Sequence, residues 1–146
     1  MNGVNASGLA RNKPIDFLAE LQELARDDPE DRLLLERWER LTLTVRCGLF
    51  ANEPNRIRLF ILSGQRLLQE GIGKPVPMYL RILQTLIKSA EDQALPVAWR
   101  HLCAEHFDLP LARLQSLLQR REPATLNAVV SRVDSVRAAL LNQSGR

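Results

Sequence analysis

At 146 residues, with a net charge of +3, 45% hydrophobic and 25% charged residues, the chain has the size and make-up of one folded domain that needs no staples. That charge is too small to mark a nucleic-acid binder by itself, no apolar run approaches a membrane span, and the opening residues carry no hydrophobic signal core. Aromatics make up only 5%, so the core must be aliphatic, which suits helix-on-helix packing.

Charge is unevenly spread: residues 1–50 hold seven Lys/Arg against nine Asp/Glu, and the remainder thirteen against eight. A basic back two-thirds is compatible with an acidic partner and equally with ordinary solvated faces. Residues 1–12 read as a flexible tail and 13–143 as a single helical domain.

Proline sets the helix count. Pro14, Pro29, Pro54, Pro77, Pro96, Pro110 and Pro123 each stand before or at the opening of an amphipathic pattern, where the missing N–H breaks no bond. The expectation is an all-α bundle of about seven helices without a strand.

The first, 14–26, sets Ile15, Leu18 and Leu21 or Ala25 on one side and Asp16, Glu20 and Glu23 on the other. The second follows the cap candidates Asp27 and Asp28, carries Leu34, Trp38, Leu41 and Val45 near heptad spacing, and stops at Gly48. The third, 54–70, has a broad stripe of Ile57, Phe60, Ile61, Leu67 and Leu68, widened by Leu59 and Leu62, with Gly64 inside it; its breadth predicts a central helix. Residues 71–77, GIGKPVP, read as a turn before a fourth helix at 77–90.

Residues 96–121 carry the one recognisable functional geometry. Two short helical patterns meet across a joint of Phe107, Asp108 and Leu109, with Cys103, Phe107, Leu109, Leu114 and Leu117 on apolar places and Ala104 where helices would cross, as in a helix-turn-helix. The open face of the second pattern shows Ala112, Arg113, Gln115, Ser116, Gln119 and Arg120. On this reading Arg113, Gln115 and Ser116 reach bases or phosphates, and Arg100, Arg120 and Arg121 hold the backbone. The turn offers Asp108 where Gly is usual. Two ordinary core helices would satisfy most of the same pattern.

The last helix, 125–142, aligns Leu126, Val129, Val130, Val133, Val136, Leu140 and Leu141. Its seam closes the bundle or, alternatively, joins a homodimer.

Catalytic signals are thin. His101 and His106 stand about 140° apart around a helix. His101 and Glu105 lack a third metal ligand, and Cys103 occupies a core place although His106 is near. Gly71, Gly73 and Lys74 follow a helix rather than a strand, unlike a phosphate loop. Cys47 and Cys103 read as free thiols on or beside apolar faces in a reducing cytoplasm. No cofactor, metal site or catalytic residue is expected.

The run ERWERL at 36–41, followed by LLQEGIGKPVPMYLRIL at 67–83, resembles helical regulators that bind bacterial sigma factors. The resemblance implies a protein partner, and no site residue is carried over from it. The thin catalytic signals, together with more helical stripes than a small bundle requires, make the leading expectation a non-enzymatic, cytoplasmic regulatory or adaptor protein that binds another protein, with Phe50, Trp99, Val133 and Leu140 as contact candidates. The alternative is a DNA-binding regulator using residues 96–121.

Overall fold

The computed structural model describes residues 28–144. Six helices fill them, and no strand occurs among the described residues: α1 Pro29–Cys47, α2 Asn55–Gln69, α3 Pro75–Glu91, α4 Val97–Glu105, α5 Asp108–Leu118 and α6 Pro123–Ser144. The all-α class holds. The count of seven is not matched, and the expected helix 14–26 lies outside the described residues, as does the expected tail 1–12.

Local chemistry explains most of the boundaries. The Asp28 carboxylate accepts the N–H groups of Glu30 at 2.9 Å and Asp31 at 3.4 Å, and Pro29 fills the first turn of α1. Gly48 ends α1 with φ of 60°, and its N–H and that of Leu49 close on the Val45 and Thr44 carbonyls. A side chain there would be doubly penalised, because a Cβ would also stand 3.2 Å from Leu95 and 3.4 Å from Trp99. After α2, the N–H of Ile72 returns to the Leu67 carbonyl at 2.8 Å, and the Ile72 side chain is buried.

Two expected boundaries are corrected. The turn between α2 and α3 is shorter than 71–77: Pro75 and Pro77 both belong to the first turn of α3, where neither removes a helical hydrogen bond. Between α4 and α5 only His106 and Phe107 are non-helical, so Asp108 and Leu109, expected in the joint, open α5 instead.

The central helix is also not the expected one. α3 packs on α1, α2, α4, α5 and α6, whereas α2 packs mainly on α1 and α3 and leaves Leu59 and Leu62 exposed. α3 buries Met78, Tyr79, Ile82, Leu83, Leu86, Ile87 and Ala90, and it tolerates Thr85 and Ser89 inside because their hydroxyls donate back to the Arg81 and Thr85 carbonyls at 2.9 and 2.8 Å.

Aromatic and ionic links tie the layers. Trp38 of α1 stacks on Phe60 of α2 with centroids 5.8 Å apart. Arg46 bridges α1 to Asp92 at 2.8 Å, and that guanidinium, followed by the Ala94 N–H, holds the Asp92 carboxyl below its usual range. On α6, Val133, Val136 and Leu140 are buried against the chain itself, while Leu141 is exposed. Much of the last-helix seam therefore closes this bundle, the first of the two roles its spacing allows. No helix among the described residues is long and apolar enough to cross a membrane.

Candidate functional site

The contact candidates separate by burial. Trp99 is 1% exposed and its indole N–H donates to the Val45 carbonyl at 3.0 Å, so it locks α4 against the end of α1 and presents nothing outward. Val133 and Leu140 are buried as well. Only Phe50 is exposed, and the Arg56 guanidinium lies 4.3 Å above its ring while bonding Glu53 at 2.6 Å. These contacts orient an aromatic ring in the loop between α1 and α2.

That loop joins two helices with unusual outer faces. Leu33, Leu43, Leu49, Phe50, Leu59 and Leu62 are six of the nine exposed large hydrophobic residues among those described, and all six belong to the α1–loop–α2 hairpin. On α1, helical spacing puts Leu33, Arg37, Arg40, Leu43 and Cys47 on one side, all exposed; on α2 it groups Arg58, Leu59, Leu62 and Arg66, also exposed. Solvated helix faces rarely concentrate aliphatic side chains in this way.

Most of these residues were not among the sequence candidates. Their signal was the excess breadth of the α2 stripe, read from Leu59 and Leu62 as added burial. Periodicity reports that a face is apolar without reporting what covers it.

The α4–α5 pair forms the second surface. Arg113, Gln115, Ser116, Arg120 and Arg121 are all exposed, together with Ala112 and Gln119. Among the described residues no carboxylate pairs with Arg113, Arg120 or Arg121. Arg100 is a correction to this set: it is 6% exposed, and its Nε donates to the Ala90 carbonyl at 2.9 Å, so it caps α3 from within. Further features depart from a helix-turn-helix. The joint has no positive φ, Leu109 is exposed despite its expected apolar place, and Asp108, paired to Arg137 at 2.7 Å, puts a carboxylate at the α5 terminus that would approach phosphates.

Burial pushes the Cys103 thiol up to about 12, against a smaller opposing effect of its hydrogen bond with Ser89, so the group stays a protonated thiol at neutral pH. Cys47 is exposed rather than buried, because it ends α1 on the outer face. His106 Nδ1 lies 2.9 Å from the Leu102 carbonyl. His101, Glu105, Asp108 and Arg137 share a hollow of about 370 Å³, yet no cluster of three His, Cys, Asp or Glu able to hold a metal exists among the described residues.

No protein family, no curated protein and no solved structure matches this chain.

Proposed function

We propose that this chain is a non-enzymatic helical regulatory or adaptor protein that acts by binding another protein through the outer face of the α1–α2 hairpin. The observation that carries the reading is the gathering of Leu33, Leu43, Leu49, Phe50, Leu59 and Leu62 on that hairpin, between Arg37, Arg40, Arg58 and Arg66. Drying the wet part of one such leucine is worth on the order of 1 kcal/mol, so the six side chains together contribute several kcal/mol against the cost of association, with further contacts at the rim needed for a stable complex and the arginines setting its orientation. Two cysteines outside any disulfide suit a reducing, bacterial-like cytoplasm.

Affinity capture with the double variant Leu59→Asp, Leu62→Asp tests the reading against the control Val97→Asp, which charges an exposed position on α4. The wild type and the control retain the same partner, and the double variant loses it while keeping its helical circular dichroism. Retention of the same partner by all three refutes the surface.

The second reading, a DNA-binding regulator, is favoured by one observation: Arg113, Arg120 and Arg121 are exposed and have no ionic partner among the described residues, beside Gln115 and Ser116. It predicts duplex binding that weakens steeply between low and moderate salt and disappears in Arg113→Ala, Arg120→Ala. Absence of binding at low salt removes it. Asp108 at the leading end of α5 makes it the weaker reading. Homodimerisation through 125–142 would have to use Leu141 and the half-exposed Leu126, Val129 and Val130, the residues the bundle leaves over.

A further inference from the structure

Between α3 and α6 runs a trough of about 450 Å³, with Leu80, Leu83, Ile87 and Val129 along it and Lys88 and Arg132 among its lining. Arg132 bonds Glu91, and the hollow beyond is shared by Ala90, Gln93, Ser135 and Ala139, so later residues of α6 meet later residues of α3. Both cations therefore stand at one end of the trough. Its α3 wall, from Leu80 to Lys88, is eight helical steps, or about 12 Å. A cleft of this volume between helices, apolar along its length with a few polar groups to fix orientation, has the form of a small-ligand site. A stable protein interface draws on about 20–30 residues a side, far more than line this trough.

The charge at its end is open. No carboxylate lines the trough among the described residues. Glu91 and Asp92, the acids at this end of α3, are each held by an arginine, Glu91 by Arg132 and Asp92 by Arg46 at 2.8 Å. The Ala90 carbonyl is taken by Arg100. Lys88 shares a surface with Arg46, Glu91 and Asp92, yet it is exposed and has no ionic partner among the described residues. Arg132 gives one Nη to Glu91 and keeps other N–H donors for a second acceptor. Aliphatic walls closed by two cations are the complement of an apolar chain that carries a single carboxylate.

We propose that the α3–α6 trough binds a medium-chain fatty acid, its chain along Leu80, Leu83, Ile87 and Val129 and its carboxylate between Lys88 and Arg132. The extended chain of decanoate is about as long as the α3 wall. The site shares no residue with the α1–α2 hairpin, so either reading stands or falls without the other.

The test is titration of the full ¹⁵N-labelled chain with decanoate and with decanol at neutral pH, below micelle formation, followed by amide chemical shifts. Decanoate is expected to give saturable shifts centred on residues 80–88 and 125–132 and to bind about fivefold more tightly than decanol, the size of an exposed ion pair. Lys88→Gln removes that preference and leaves decanol binding unchanged. Ala128→Trp, at an exposed position of the trough, removes both ligands; Gln84→Trp, also exposed, serves where the first variant loses its fold. Absence of saturable shifts at about 1 mM decanoate overturns the proposal. So do equal affinities for decanoate and decanol, shifts centred on the leucines of the hairpin, or binding that survives a tryptophan in the trough. Shifts of the same amides with protein concentration alone give the trough to a second copy and overturn it too.

Discussion

Replacing Arg100 by Met tests whether a basic residue near the helix-turn-helix-like pair serves the surface or the core. α3 ends at Glu91, and the Ala90 carbonyl is among its last-turn acceptors; Arg100 Nε meets it at 2.9 Å while only 6% of the residue is exposed. Met retains the apolar stem and removes the charged donor. The lost bond is worth about 2 kcal/mol, the middle of the range for a hydrogen bond to a charged group whose partner is left buried. For a chain of 146 residues this corresponds to a fall of about 4–8 °C in Tm. Urea and thermal unfolding followed by circular dichroism at neutral pH read it directly, and Arg100→Lys should recover part of the loss by keeping a cation at the end of α3. A loss below about 0.5 kcal/mol, the size expected of a solvated surface change, would refute the burial argument.

The two cysteines should differ sharply. In native protein one thiol, Cys47, reacts promptly with a disulfide reagent, and Cys103 reacts only on unfolding; prompt reaction of both contradicts the burial of Cys103. Its raised pKa also sets a sign: the unfolded chain releases this proton near pH 9.0, the folded chain near pH 12, so stability is whole below pH 9.0 and declines between these values. The slope is about 1.4 kcal/mol per pH unit and should be absent from Cys103→Ala. Gly64→Ala should destabilise by about 1 kcal/mol in urea, because overpacking outweighs the gain in helix propensity. Its Cβ would stand 2.9 Å from Ile82 and 3.1 Å from the Trp38 ring, which is stacked on Phe60; a stabilised variant would show that this crossing yields easily. Val133→Asp should lose at least about 3 kcal/mol while Leu62→Asp stays within about 0.5 kcal/mol, so equal losses contradict the division between core and contact face.

What the amino-acid order determined by itself was local. Asp28 with Pro29, Gly48, Pro96 and Pro123 fix helix ends through the backbone geometry of a few neighbours, and so six helices lie near where prolines and apolar spacing put them. The outward character of Arg113, Gln115, Ser116 and Arg120 was equally readable, because one apolar stripe on α5 leaves only one side for them. Tertiary structure alone decided which helix lies at the centre, that Arg100 turns inward to Ala90, and that Trp99 finds its acceptor in Val45, 54 residues away. It also decided that Leu59 and Leu62 stay uncovered. An amphipathic pattern records the preference of a face for leaving water, but the element that satisfies that preference comes from a distant part of the chain, and neither its identity nor its reach is encoded in the spacing.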